Sequence, residues 1–433
     1  MEKKSVNKIS FFDSLSLTLP SSKSLTQRAL LCASLVRGKS LIKNPLLSED
    51  PLLLKGALSE TGVKFTTLSD NTLEVEGMGG EPLLNQKRIY LGNNGTGARF
   101  FLAYASLGKG EWLELYGKER LHERPMAPLI NVLRKLGAKI ECLKEEGHFP
   151  LKVYQGTLSS DKVTLPGNIS SQFISALLII GSYLPKGLEI VIEGDLLSKG
   201  YVEMTCEVMS KFGLKVEREE NHYVVERGEY KATTYEVPAD TSSASYFLAI
   251  PLVLGKGKVR IENFDYHTKQ ADILFLNFLE EMGAQIKPLI PLGLEVSFEG
   301  RPKGGSFNLK DCPDLFPTLA ILGAVAEGRT ILYGAPHLRF KETDRIKAMA
   351  KELSKLKVRV EEIPDGLIIH GQESFVPAQI ETYDDHRIAM AFAILALKAG
   401  PLEINNPQCV TKSFPNFWEL FEKIYEKNSP HRL

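Results

Sequence analysis

Several cations in this chain stand where a helix least favours them. In LPSSKSLTQRALLCASL (residues 19–35) an apolar helix runs on from Ala29, with Ser21, Ser22 and Ser24 available as caps. Lys23 and Arg28 sit at its beginning, although the helix dipole favours cations at the other end by roughly 0.3–1 kcal/mol each. Lys341 and Arg345 in KETDRI repeat the anomaly and are also a like-charge pair four residues apart. Arg99 ends GNNGTGAR, Arg387 lies in DDHR, Arg124 in ERPM and Lys412 in TKSFP. Bare helix N-termini bind anions through free N–H groups and the dipole. Gly95 and Gly97 permit close approach of backbone to such a ligand, though the stretch is neither a Walker A loop nor GxGxxG. For Asn93, Asn94, Thr96, Ser170, Ser171, Gln172, Asp240, Ser242, Ser243, Asp311, Asp314 and Asp385, ordinary N-capping remains the alternative. Capping does not explain the lysines and arginines. A bound anion does, because two unit charges about 4 Å apart interact by about 4 kcal/mol at an effective dielectric near 20.

These residues recur at equivalent places in an internal repeat. Six segments, starting at Leu19, Leu91, Leu165, Val237, Leu309 and Thr382, share one plan and are spaced 72 to 74 residues apart. Each has an extended lead-in, a polar cluster, an apolar helix, a Gly-containing turn and a strand. A polar connector and a second, amphipathic helix follow, as in MAPLINVLRKLGAKIE and YVEMTCEVMSKFGLKVE. The unit reads β-α-β-α-β-β. The sixth unit ends in the helix NFWELFEKIYEK with no strands after it, while residues 5–19 are strand-like with no helix before them. The N-terminal strand is therefore expected to complete the sixth unit. That predicts an α/β (α+β) fold of two similar domains, 20–238 and 1–19 plus 239–433, joined by hinge strands near 19–20 and 237–240. A scaffold solenoid is the competing reading, but its surface residues should repeat, and here the polar clusters differ from unit to unit.

Composition excludes several other classes. The chain has 433 residues, 53 basic and 53 acidic, so bulk charge points to neither nucleic acid nor an anionic membrane. Its five cysteines are scattered, as expected for free thiols in a reducing compartment. No His or Cys spacing suggests a metal site, no apolar run reaches membrane-spanning length, and MEKKSVNKISFF lacks the apolar core of a signal peptide. The expectation is a cytoplasmic protein, monomeric by default, with small-molecule partners.

The motifs LPSSKSLTQRA, GNNGTGAR, ERPM, SSQF, GDLLSKGY, DTSSASYF, PDLFPTLA, KETDR, DDHRIAM and TKSFP, in order and well spaced, resemble those of the 5-enolpyruvylshikimate-3-phosphate synthase family nearly end to end. The resemblance implies two domains of three βαβαββ units, each around a pseudo-threefold axis, with a ligand cleft between the domains. It implies transfer of the enolpyruvyl group of phosphoenolpyruvate to the 5-hydroxyl of shikimate 3-phosphate, by addition and then elimination through a tetrahedral intermediate. No metal or organic cofactor is implied. With phosphates at about −1.5 to −2 each and two carboxylates, the ligands would bring roughly −5 to −6.

By the same resemblance, shikimate 3-phosphate would be held by Lys23, Ser24, Arg28, Ser170, Ser171, Gln172, Ser198, Tyr201, Asp314, His337 and Lys341. Phosphoenolpyruvate would meet Lys23, Asn93, Gly95, Thr96, Arg124, Gln172, Arg345, His386, Arg387 and Lys412. Proton transfer would fall to Asp314, Glu342 and Lys23, with Glu342 ionised at rest between Lys341 and Arg345. His386 is either a functional neighbour of Arg387 or a helix-start histidine. Three positions depart from the family pattern: Asn94 where many members have Ala, Phe100 where Pro is common, and His337 where Asn is often a ligand. An altered response to the inhibitor glyphosate is expected from Phe100. The sister UDP-N-acetylglucosamine enolpyruvyl transferases usually carry a Cys or Asp on a loop that here reads YGKERLHERP, with neither. A non-catalytic anion-binding repeat would be expected to lack Asp314, Glu342 or Lys412, and all three are present.

Overall fold

The apolar helix of each repeat forms because nearly every side chain on it is removed from water, not one face alone. In the helix Lys23–Leu35 every residue except Ser24 is buried, and in Phe316–Val325 every residue is buried. These are the inner helices. The amphipathic second helices bury one stripe: Ala127–Leu136 buries Leu129, Ile130, Val132, Leu133 and Leu136 and leaves its polar residues outside.

The computed structural model describes residues 2–427 apart from 69 and 169; the outermost residues of the expected domains, 1 and 428–433, lie outside the described residues. The chain divides into two compact units, Ser21–Pro238 and Met1–Pro20 with Ala239–Leu433. Each contains three small mixed sheets.

Among the described residues of the unit Ser21–Pro238, three sheets are four-stranded and share one order, and a small two-stranded sheet pairs Leu83–Leu84 with Lys109–Gly110. In the second and third repeats the strand before the inner helix lies parallel to the strand after it, and two antiparallel strands complete the sheet. Lys162–Pro166 runs parallel to Leu188–Glu193, which is followed by His222–Val225 and Val216–Glu219. The inner helix is the crossover that a parallel pair requires. Its N-terminus therefore emerges at the C-terminal end of the leading strand, the end at which open α/β sheets bind ligands.

The other unit repeats this order twice and closes differently the third time. The sixth sheet has three strands, Lys3–Val6, Leu402–Asn405 and Ala378–Ile380. Lys3–Val6 pairs antiparallel to Leu402–Asn405, so the N-terminal strand does complete the sixth repeat. The next strand, Ser14–Leu17, pairs in parallel with Lys256–Ile261 of the fourth repeat, although it leads into the first. Thr234–Glu236, which leads into the fourth repeat, pairs with Arg37–Lys43 of the first. The first and fourth repeats have exchanged their leading strands, and the chain passes from one unit to the other just after each of them. Among the described residues no helix is long and apolar enough to cross a membrane.

Candidate active site

In the unit Ser21–Pro238 the candidate residues collect at the N-termini of the inner helices Lys23–Leu35, Gly95–Ala105 and Ser171–Gly181. Of the three possible caps before the first, Ser22 is the one used, its hydroxyl accepting from the Leu25 amide. Lys23 turns to Asp50 at the start of the helix Glu49–Ser59, Nζ to Oδ2 3.0 Å, both side chains buried. Asn94 caps the second helix by accepting from the Gly97 amide at 2.8 Å. Its own amide donates to Gln27 Oε1 at 2.8 Å and to the Asp50 carbonyl at 2.7 Å. Asn94 thus joins two helix starts, which an Ala there would not do. Gly97 is obligatory beside it, since a Cβ would stand 2.2 Å from the Asn94 amide nitrogen. Gly95 leaves room for the Arg124 guanidinium, which lies 2.3–2.5 Å from where a Cβ would be and would have to move aside for one.

The third helix is tied in by Gln172, whose amide donates to Thr96 Oγ1 at 2.9 Å and whose carbonyl accepts from Arg99. Ser170 caps this helix, and Ser198 holds a left-handed conformation (φ 58°) before the helix Lys199–Lys211. Arg28 is 1% exposed. Its Nε donates to Thr205 Oγ1 at 2.8 Å, and its terminal nitrogens donate to the carbonyls of Ser24 and Tyr201 at 2.9 and 3.0 Å. The Phe100 ring lies under the guanidinium, 5.3 Å from Cζ. Among the described residues no carboxylate is within ion-pair distance, and burial lowers the Arg28 pKa to about 10. The guanidinium is still charged at neutral pH. Lys23 therefore has an acid partner, whereas Arg28 is held by neutral oxygens and an aromatic face.

The other unit handles charge differently. Asp314, Glu342 and Asp385 alternate with Lys341, Arg345, Arg387 and Lys412 in a buried network. Arg345, at the start of the helix Arg345–Lys355, donates to Asp385 Oδ2 at 2.7 Å, Asp314 Oδ1 at 2.8 Å and Glu342 Oε2 at 2.8 Å. Arg387 donates to Asp314 Oδ2 at 2.8 Å and to the Tyr246 hydroxyl at 3.3 Å. Lys341 lies 3.8 Å from Asp314, and Lys412 lies 3.4 Å from Glu342. The like-charge pair Lys341 and Arg345 is thus bridged by Asp314. Glu342 pairs with Arg345, one of its expected neighbours, and with Lys412, while the ammonium of Lys341 lies 3.8 Å from Asp314. His386 is fully buried beside Asp385 at the start of the helix His386–Ala399. His337 is nearly buried, and desolvation together with Lys341 lowers its pKa to about 3, so it is neutral at physiological pH.

Burial alone would raise the Asp314 pKa, but Arg387, Lys341 and Arg345 together hold it well below the usual carboxylate range. Its neighbour Asp272 goes the other way. Burial, then the charge of Asp314, pushes Asp272 up to about 7, with Arg387 opposing and the Ser242 hydroxyl donating to it. Two adjacent carboxyl groups whose environments drive their pKa values apart are the usual mark of acid–base work. Sequence reasoning missed Asp272, which lies on the short 3-10 segment Ala271–Leu274 outside the polar clusters.

A stability prediction follows from Asp272. Its folded-state pKa exceeds the unfolded value of about 3.9, so the folded state holds the extra proton. That contribution is complete below about pH 4 and is lost, at about 1.4 kcal/mol per pH unit, as pH rises toward 7. Asp272→Asn keeps an acceptor for Ser242 and removes the titration. Its Tm should lie close to wild type at pH 4 and below, and clearly above it at pH 8. Melting curves displaced equally at both pH values would refute this.

Asp385 is presented by a strained turn. Tyr383 and Asp384 both adopt left-handed backbone (φ 55° each), at a cost of roughly 1–3 kcal/mol per non-glycine residue. Asp385 then caps the following helix, accepting from the Arg387 amide at 2.9 Å while it grips Arg345.

Three comparisons bear on identity. Residues 14–421 match the family model described as EPSP synthase (3-phosphoshikimate 1-carboxyvinyltransferase). The 3-phosphoshikimate 1-carboxyvinyltransferase of Nostoc punctiforme is 39% identical over 413 residues, covering 94% of this chain and 96% of that protein. The enzyme of the same name from Methanothermobacter thermautotrophicus is 39% identical over 405 residues, covering 94% of each. Among solved structures, EPSP synthase from Acinetobacter baumannii superposes with a TM-score of 0.78 at 26% identity over 98% of both chains.

Proposed function

The chain belongs to the EPSP synthase (3-phosphoshikimate 1-carboxyvinyltransferase) family, and from that premise we infer how its residues divide the work. The reaction is enolpyruvyl transfer from phosphoenolpyruvate to shikimate 3-phosphate, with release of phosphate. The observation that carries the assignment of roles is the grip of Arg345 and Arg387 on Asp314, 2.8 Å each.

Shikimate 3-phosphate takes its contacts from Ser24, Arg28, Ser170, Ser171, Ser198 and Tyr201, with Asp314 and Lys341 on its hydroxyls. Phosphoenolpyruvate meets Lys23, Arg124, Arg345, Arg387 and Lys412. In the addition step the 5-hydroxyl oxygen bonds to C2 of phosphoenolpyruvate, its proton leaves, and a proton is delivered to the methylene carbon. In the elimination step the C2–phosphate bond breaks and the new methyl group gives up a proton. Asp314 accepts the hydroxyl proton, and Glu342 with Lys412 beside it serves the methylene carbon.

A carboxylate held by three cations is a weak base. Incoming phosphate and carboxylate groups compete for those same cations, and each one drawn away raises the Asp314 pKa toward its ordinary value. Substrate binding thereby makes the base. Phosphate, the leaving group, carries its charge away against Lys23 and Arg124, which lower the cost of that charge in a partly desolvated site.

The test is phosphate release from phosphoenolpyruvate with shikimate 3-phosphate, with UDP-N-acetylglucosamine, and with neither. Release that requires shikimate 3-phosphate is expected. Release only with the UDP-sugar would place the activity in the sister family.

Phe100 supplies a second check on the assignment of Arg28. The ring both packs the helix and offers its negative face to a guanidinium that lacks an acid partner. Phe100→Leu keeps the apolar volume and removes that face. The KM for shikimate 3-phosphate should rise about three- to tenfold, the range of a partly desolvated cation–π contact, with kcat within twofold of wild type. Unchanged KM in a folded variant would count against a role for Phe100 in setting Arg28.

A further inference from the structure

Glu352 is a fully buried carboxylate that the reaction above does not use. It lies on the helix Arg345–Lys355, two turns after Arg345 and on the same face. Its Oε1 accepts from the Tyr383 hydroxyl at 2.7 Å, and its Oε2 accepts from the Glu381 amide at 2.9 Å and from Lys355. Two of those partners lie at the entry of the strained turn. Tyr383 is the first of its two left-handed residues, and Glu381 stands just before it. On the far side, Asn406 donates to the Asp384 carboxylate at 3.1 Å, and the Thr382 hydroxyl donates to the Asn405 carbonyl at 3.0 Å. Immediately after the turn come Asp385, His386 and Arg387.

One helix therefore holds the Asp385 segment at two points. Arg345 grips Asp385 itself, and Glu352 grips the backbone and side chain that aim it. Two consecutive left-handed residues persist only where their surroundings fix them, and Glu352 is the charged centre of those surroundings.

We propose that Glu352 is a positioning residue: through the Tyr383 hydroxyl and the Glu381 amide it locks the Tyr383–Asp384 turn and so sets Arg387 for phosphoenolpyruvate. The proposal rests on the reading that Arg387 binds phosphoenolpyruvate. It gives the phosphoenolpyruvate side of the site a support separate from the residues that hold shikimate 3-phosphate.

Steady-state kinetics on the full chain test it, with Glu352→Gln, Tyr383→Phe, their combination and Arg387→Met as variants and a melting curve for each. Tyr383→Phe removes one hydroxyl and leaves the ring packed, so it should fold even if Glu352→Gln does not. In Tyr383→Phe the KM for phosphoenolpyruvate should rise about tenfold, as for loss of one hydrogen bond to a charged group. The KM for shikimate 3-phosphate should stay within twofold. If both single variants fold, the double variant should be little worse than the more affected one, because the two residues act through one contact. An unchanged KM for phosphoenolpyruvate in folded Tyr383→Phe, or equal rises in both KM values alongside a lowered Tm, overturns the proposal while Arg387→Met still raises that KM. If Arg387→Met leaves the KM for phosphoenolpyruvate unchanged, the reading of Arg387 has failed and the proposal falls with it.

Discussion

Asp314→Asn should lower kcat by about 10²–10⁴, the range for removing a positioned general base, with both KM values changed far less. The substitution is nearly isosteric, and the amide oxygen still accepts one of the two 2.8 Å hydrogen bonds now made by Arg345 and Arg387. Arg345 also keeps Glu342 and Asp385. The fold should therefore survive, and a melting curve checks that it does. What the amide cannot do is take the 5-hydroxyl proton. Phosphate release at saturating substrates would show the deficit. If a folded Asp314→Asn protein works within tenfold of wild type, Asp314 only arranges cations and the base lies elsewhere. Asp272 would then be the first residue to test, since its raised pKa suits it to hold a proton at neutral pH.

The site was legible in the sequence where its chemistry broke a local rule. Lys23, Arg28, Lys341, Arg345 and Arg387 oppose the helix dipole, and each is a buried cation or sits in the network around Asp314. Acids at the same places break no rule. Asp50 and Asp385 favour a helix start on dipole and capping grounds, so nothing in their local sequence marks them as partners of Lys23 and Arg345. Glu352 is concealed in another way. In KAMAKELSK it reads as half of a solvated i,i+3 pair with Lys355, and only the tertiary fold lays Tyr383 against it. Position alone marks Arg28 as an anion holder; the carbonyls of Ser24 and Tyr201 and the ring of Phe100 come from three different repeats, which no local pattern brings together.

The fold divides along the same line. Repeat spacing and helix amphipathicity are local properties and gave the β-α-β-α-β-β unit, with the N-terminal strand completing the sixth repeat. The exchange of leading strands between the first and fourth repeats was not visible. Ser14–Leu17 and Thr234–Glu236 carry no feature that selects one parallel partner over an equivalent one, because the corresponding strands of the first and fourth repeats offer the same backbone edge. Connection length and chain direction decide the pairing.

Arg345→Met should be the most damaging single change to stability. The guanidinium is 1% exposed and is the shared donor of three carboxylates, Asp385 buried and Asp314 and Glu342 largely so. Truncating one partner of a buried ion pair costs about 3–5 kcal/mol, because the other charge is left uncompensated. A drop in Tm of about 10 °C follows for a unit of this size. Methionine fills much of the volume, so the loss would be chiefly electrostatic, and its pH dependence separates that from packing. In wild type the cations hold Asp314 well below the usual carboxylate range, so its contribution is present at neutral pH and fades only in strong acid. In the variant Asp314 loses one of the three cations that depress it, so its folded-state pKa moves up. The gap from wild type should then narrow as pH falls from 8 into the acid range. Arg345→Lys restores a single point charge without the fork that serves three acceptors, and should recover only part of the loss. A gap of constant size across that pH range would mean that Arg345 matters by filling space, and that the carboxylates are balanced by Arg387, Lys341 and Lys412 without it.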